Sequence, residues 1–256
     1  MRSLWNIDGG NLDVGYANLR EARHTEERNI RTFLDAMWAS YEPFADRGFR
    51  HGFARDPDAR FWEMYLGCRL IKSGKTLLPF GERRFDGGPD ICVLDRERRI
   101  WIEAIAPGPG EDGPDQVRGP VPIGEGGGAE YAPTRQAQLR MTSALLTKSD
   151  AFESYLQSGI VTPEDVRLIA IGVGRFGIYL VDRPLPTILS AVFPIGDQYV
   201  SIDRETLEVV DQGYGTSLEI TRLGSAIPRT AFLDQKYAPI SGISPYPANA
   251  GIATAG

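Results

Sequence analysis

Apolar positions recur at helical spacing early in the chain. From Thr25 onward, Ile30, Phe33, Leu34, Met37, Trp38 and Tyr41 follow intervals of three and four, which predicts a helix with one buried face. Thr25 reads as its N-cap, and Glu26 and Glu27 fall in the first turn, where the helix dipole favours acid. Arg47-Gly48 closes this stretch and Asp56-Pro57-Asp58 opens the next. Residues 58–73 are apolar on most sides (Phe61, Trp62, Met64, Tyr65, Leu66, Cys68), which predicts a helix packed on several faces and ended by Gly74. The period then changes. Short apolar runs at 76–78, 91–94 and 100–106 read as three strands, the second and third joined by the polar connection Arg96–Arg99. Alternation in the third puts Trp101, Glu103 and Ile105 on one face and Ile102 and Ala104 on the other. Residues 134–158 return to a helical stripe of Ala137, Met141, Leu145, Phe152 and Tyr155. Val166–Val173 is then a near-continuous apolar strand of the kind buried on both faces.

The rest of the chain is less periodic. Residues 1–24 are polar around the turn Asp8-Gly9-Gly10-Asn11 and read as a loosely docked arm. Residues 107–130, rich in glycine and proline, read as a long flap over the site. Gly124–Gly128 is not a phosphate loop, because no lysine follows in the required spacing and no strand leads into it. Beyond 174 the pattern is β-rich. Tyr199–Ile202 and Leu207–Val210 flank a turn, Ser217–Thr221 adds a strand, 232–243 is a short amphipathic piece, and the tail from Pro245 is expected to be disordered. No repeat and no clean linker is visible. The expectation is one elaborated domain over 1–256, with a core at about 58–173, a helical extension at 25–48 and a β-rich extension at 174–244.

Composition narrows the function. A net charge of −6 argues against a generally adhesive nucleic-acid binder and leaves a local cleft open. Cys68 and Cys92 lie inside predicted core elements and read as small buried hydrophobes of a reduced protein. With His24 and His51 as the only histidines, cysteine–histidine zinc spacing is absent and a histidine-based triad has little material. There is no signal peptide and no apolar run of about 18 residues, so a cytoplasmic protein is expected.

Three carboxylates interrupt this apolar framework: Glu63 in the second helix, Asp90 at the head of a strand, and Glu103 within the next. Buried acids are costly unless they meet a cation or a proton. A divalent-metal site is the functional reading; for Glu63 the alternative is a helix-starting acid near the positive end of the dipole. Lys148 falls in the gap of its helix's apolar stripe. It either snorkels outward along its aliphatic stem or reaches a buried acidic partner.

In order, residues 58–173 read helix, strand, strand, strand, helix, strand. With Pro89-Asp90 at the second strand, Glu103 in the third and Glu63 in the preceding helix, the chain resembles the PD-(D/E)XK nuclease superfamily. The likeness is strongest to a bacterial branch with a WEMYL-type helix and a WIEA strand. It implies an α/β fold with a restriction-endonuclease-like αβββαβ core, a mixed central sheet, an N-terminal helical elaboration and a C-terminal β-rich one. It also implies phosphodiester hydrolysis of nucleic acid, DNA ahead of RNA. Mg²⁺, replaceable by Mn²⁺, would be held by Glu63, Asp90, Glu103 and the Ile105 carbonyl. No membrane partner is implied, and a homodimer fits where two strands are cut.

The motif lysine is missing, since Ala104 and Ile105 follow Glu103. By the resemblance its role passes to the following helix, to Lys148 first, then Gln138, with Arg140 a weaker third. Asp90, Glu103, Lys148 and Gln138 are then the catalytic set, and Arg83, Arg84 and Arg140 the nucleic-acid contacts. Arg96, Arg98 and Arg99 are either further phosphate contacts or an ordinary solvated hairpin tip. The alternative function is a catalytically silent relative that serves as a nucleic-acid or protein binding module.

Overall fold

Asp56 and Pro57 start the helix that anchors the molecule. The Asp56 carboxylate accepts the Ala59 amide, and proline's fixed φ and absent N–H suit the first helical position. In the computed structural model, which describes residues 2–84, 87–119, 132–176, 185–222 and 224–246, this helix is the fourth. It follows α1 (Val14–Glu21), α2 (Thr25–Tyr41) and α3 (Phe49–Arg55), and itself runs Pro57–Lys72 as α4. Then come β1 (Thr76–Leu77), β2 (Ile91–Asp95), β3 (Arg98–Ile105), α5 (Thr134–Gln157) and β4 (Val166–Gly172). Further along lie α6 (Thr187–Val192), β5 (Ile195–Ile202), β6 (Val209–Thr216), β7 (Glu219–Arg222), β8 (Ser225–Pro228) and β9 (Gly242–Tyr246).

The chain divides into two compact units, one of Met1–Ala106, Asp150–Gly172 and Pro239–Ala248, the other chiefly of Pro107–Ser149 and Val173–Ala238. Each is assembled from separated segments. The absence of a linker, on which the expectation of a single domain rests, therefore carries no information about domain number.

The first unit is built on a five-stranded mixed sheet in the order β1-β2-β3-β4-β9. β1, β2 and β3 are antiparallel neighbours, while β3–β4 and β4–β9 are parallel. Alternation sorts the residues to two faces. Ile91, Val93, Ile102 and Ala170 join Trp62 and Met64 of α4 in one core. Trp62 pins the helix to the sheet by donating from Nε1 to the Ala170 carbonyl at 3.0 Å. Cys92, Trp101, Glu103 and Ile169 occupy the opposite face, all buried. Burial pushes the thiols of Cys68 and Cys92 up to about 11, as expected of inert packing residues.

Several expectations are corrected. The first 24 residues are no loose arm: Leu4, Trp5, Ile7 and Tyr16 are buried, Trp5 stacks on Tyr16 with centroids 5.5 Å apart, and Tyr16 meets Phe53 edge-on. Ile30 and Phe33, assigned to the buried face of α2, are 48% and 53% exposed, because only the C-terminal half of that helix packs on the core. The cap of α2 is His24, in a reciprocal box with Glu27, one residue before the expected Thr25. The stretch after Arg47-Gly48 forms α3, which the sequence did not announce. Gly242–Tyr246, expected as the end of an amphipathic piece and the start of a disordered tail, is a strand of the main sheet.

In the second unit, β5 and β6 form an antiparallel ribbon and β7 and β8 another, in keeping with the β-rich expectation. The early turns of α5 are tied in by Arg135, which donates to the Asp115 carboxylate at 2.6 Å and to the Thr221 carbonyl at 2.9 Å. The residues proposed as a flap are described only to 119, and Gly124–Gly128 lies outside the described residues. Among the described residues, no helix is long and apolar enough to cross a membrane.

Candidate functional site

Glu63 is 3% exposed, on the inner side of α4. One turn later stands Gly67, where an added Cβ would overlap the ring of Tyr41. The missing side chain lets Tyr41 press against α4, so that its hydroxyl donates to Glu63 Oε1 at 2.8 Å. One turn earlier, Arg60 donates to Glu63 Oε2 at 2.6 Å and to Asp46 at 3.2 Å. Its guanidinium lies over the Phe49 ring, and Gly52 leaves it room, since a Cβ there would sit 2.6 Å from Arg60 Nε. Two glycines and an arginine thus enclose the acid.

The electrostatics reflect this enclosure. Burial, then the negative charge of Asp90, push Glu63 up to about 8, against the pull of Arg60 and Tyr41. Burial of Arg60 opposes its charge, but the Glu63 and Asp46 carboxylates outweigh it and move its pKa upward. Tyr41 is driven well up by burial and by the charges of Glu63 and Asp90, and stays a neutral donor.

Asp90 immediately precedes β2. The ladder pairs Ile91 with Ile102, so one further step sets Asp90 opposite Glu103. Directly opposed residues of an antiparallel pair share a face with Cβ atoms about 5 Å apart, and like charges there repel. Two local devices hold the pair. Asp90 Oδ2 accepts the Ala104 amide at 2.8 Å, and Arg83 donates to the Pro89 and Asp90 carbonyls at 2.8 and 2.9 Å, fixing the head of the strand. Glu103 is 2% exposed and accepts a hydrogen bond from Tyr155 of α5. Burial, Glu103 and then Asp90 raise Tyr155, which keeps that phenol protonated.

The structure therefore brings Glu63, Asp90 and Glu103 into one electrostatic neighbourhood of the first unit, with Ile105 at the end of β3 paired to Ile171. Among the described residues, no three His, Cys, Asp or Glu side chains are grouped so as to hold a metal ion. Both Glu63 oxygens are already engaged, by Arg60 and Tyr41. Lys148, half-buried on α5, falls in the second unit together with Gln138 and Arg140.

The other candidates on α5 make their contacts within that unit. Gln138 belongs to the second unit, where its amide donates to Ser190 at 2.7 Å and accepts from Arg229 at 3.1 Å. Arg140, also there, donates to the Gly108 carbonyl at 2.9 Å. Arg83 is committed internally, and Arg84 is exposed.

Sequence reasoning missed Arg60, Tyr41 and Tyr155. The one available signal was the i, i+3, i+7 grouping of Arg60, Glu63 and Gly67 on one side of the helix. Tyr155 was assigned to an apolar stripe, and its hydroxyl gave no sign of a partner. A scan against protein-family models, a search of curated proteins and a search of solved structures each return no match.

Proposed function

We propose that the chain is a Mg²⁺-dependent phosphodiester hydrolase of the endonuclease type acting on nucleic acid, DNA first, with Asp90 and Glu103 at its centre. The observation that carries this reading is the opposed pair of acids on adjacent antiparallel strands, one almost fully buried, both acting on Tyr155. The order α4, β1, β2, β3, α5, β4 supports it further, since that is the αβββαβ order expected from the resemblance. Two like charges set face to face repel unless a cation or a proton joins them.

The donor set fits Mg²⁺ as a two-carboxylate site. Mg²⁺ is commonly bound through one or two carboxylates, with waters and substrate phosphate completing its shell, so a third acid is not required. Asp90 and Glu103 would hold it; Glu63, clasped by Arg60 and Tyr41, would stay outside its shell. When bound, the ion polarises the phosphoryl oxygens and eases deprotonation of the attacking water. The other tasks fall to side chains. Lys148 takes the place of the missing motif lysine, orienting water and offsetting negative charge that develops at phosphorus. Tyr155 holds Glu103 in one orientation. Glu63, kept largely protonated near neutral pH by burial and by Asp90, limits the negative charge facing a polyanionic substrate.

Thermal unfolding in Mg²⁺ or Mn²⁺ provides the test. The wild type should gain stability with metal and an Asp90→Ala/Glu103→Ala variant should not; no gain in the wild type would remove the metal reading. Plasmid cleavage by wild type and Lys148→Ala then tests the lysine, and unchanged cleavage in the variant would exclude its assigned role. Ile105 in the place of the motif lysine favours a second reading, a binding module of the same fold. Metal-dependent stabilisation without cleavage would select it.

A further inference from the structure

Along β3, residues 99, 101 and 103 alternate onto one face of the sheet, and Leu94 stands opposite Arg99 in the ladder. At the Arg99 end of that face lies a cavity of about 400 Å³, formed wholly within the first unit. Among the described residues, three arginines line it, Arg83, Arg84 and Arg99, with one carboxylate, that of Glu82. In a chain with a net charge of −6, such a local excess of guanidinium is distinctive. The walls are otherwise largely apolar, with Leu78, Leu94 and Ile160 beside the edge of Trp101.

The arginines are not equivalent. Arg83 is half-buried and rigid, its terminal nitrogens spent on the carbonyls of Pro89 and Asp90 and its guanidinium held 5.8 Å from the Trp101 ring. It supplies a fixed positive charge at the base, and through the Asp90 carbonyl it connects the cavity to the carboxylate pair. Its Nε is buried and without a hydrogen-bond partner. Arg99 is exposed and makes no hydrogen bond or ion pair among the described residues, so its planar fork is open to bidentate contact with an oxyanion. From Arg99 to Glu103 is roughly 13 Å along the strand.

We propose that this cavity is a phosphate subsite for a nucleic-acid strand, in which Arg99 grips a phosphate over the fixed charge of Arg83 and the apolar walls receive the attached sugar or base. The assignment of a strand rests on the hydrolase reading above; the phosphate chemistry does not. In this arrangement the scissile bond lies at Asp90 and Glu103, and a phosphate further along the same strand is read at Arg99 without help from metal.

Calorimetric titration of the full chain in EDTA separates the two readings. The probes are thymidine 5′-monophosphate, thymidine, and a short single-stranded oligodeoxynucleotide. The monophosphate should bind and thymidine should not; the oligonucleotide should bind more tightly than either. Arg99→Glu should weaken the monophosphate at least tenfold, Arg99→Lys much less, both with unchanged melting temperature. Asp90→Ala/Glu103→Ala should bind it undiminished, so that a failed metal test leaves the subsite standing. Wild-type affinity in Arg99→Glu, or equal binding of thymidine and its phosphate, would overturn the subsite. An oligonucleotide that binds no better than the monophosphate would overturn the strand assignment in favour of a free nucleoside phosphate.

Discussion

Replacing Glu63 by glutamine keeps the shape of the side chain and removes its titration. In the folded protein Glu63 titrates near 8, against an ordinary value of 4.5 that the unfolded chain adopts. Because the folded value is raised, between those two points the native state holds a proton that the unfolded state has released. Wild-type stability is therefore fullest at low pH and declines as pH rises through the window. At roughly 1.4 kcal/mol per unit, the loss is on the order of 3 kcal/mol by pH 7 and 4–5 kcal/mol once complete. Glu63→Gln carries no such loss. Urea unfolding of both proteins at pH 5, 7 and 9 in EDTA should show the variant gaining on the wild type by a few kcal/mol across the series. Two results would refute the reasoning. A pH-independent difference would mean that Glu63 does not titrate in this range. A difference of opposite sign would mean that the Arg60 ion pair outweighs burial and the Asp90 charge.

Gly67→Ala pits helix propensity against packing. It gains about 1 kcal/mol from the helix but forces a methyl group into the fully buried Tyr41 ring, at about 1–3 kcal/mol plus the strained hydrogen bond to Glu63. Net destabilisation of about 1–2 kcal/mol is expected by urea titration, and a stabilised variant would show that the ring can move aside. Trp5→Ala should cost about 3–5 kcal/mol, since the indole is buried between Tyr16 and Phe53 and donates to Asp35 at 2.7 Å. A loss below 1 kcal/mol by the same method would restore the view of the N-terminal segment as a loosely attached arm.

How much of this was legible depends on where the partners lie in the chain. α4, α5 and strands β2 to β4 carry their period within a single window, and their bounds match the sequence reading within a few residues. The burial of Glu63 and Glu103 followed from the same periodicity. What it did not supply was the counter-charge. Arg60 looks like any arginine in the first turns of a helix, and only α3, folding Gly52 and Phe49 beside it, turns its guanidinium inward. Trp5 and Tyr16 are too few and too irregularly spaced to form a pattern, and their burial comes from Phe53, far along the sequence. Ile30 and Phe33 fit the stripe of α2 perfectly well, but the core ends before it reaches them. β9 is five residues long, contains a serine and a proline, and is specified by a partner some seventy positions away. Pairing of that kind leaves no local trace.

That last strand has a consequence for the order in which the protein can be made. A ribosome releases the chain from its N-terminus, so α1 to α4 and the β1–β3 meander are available early, with mostly local contacts to form. β4 then adds in parallel to β3 and keeps one edge of unpaired backbone until Gly242–Tyr246 has been synthesised. Throughout that interval the edge is a template for pairing with another nascent chain. The segment that eventually seals it brings Pro245, which has no amide hydrogen to offer, to what becomes the outer rim. A nascent chain halted before residue 242 should therefore be more prone to aggregate than the finished one, although every residue of the carboxylate site is already present in it.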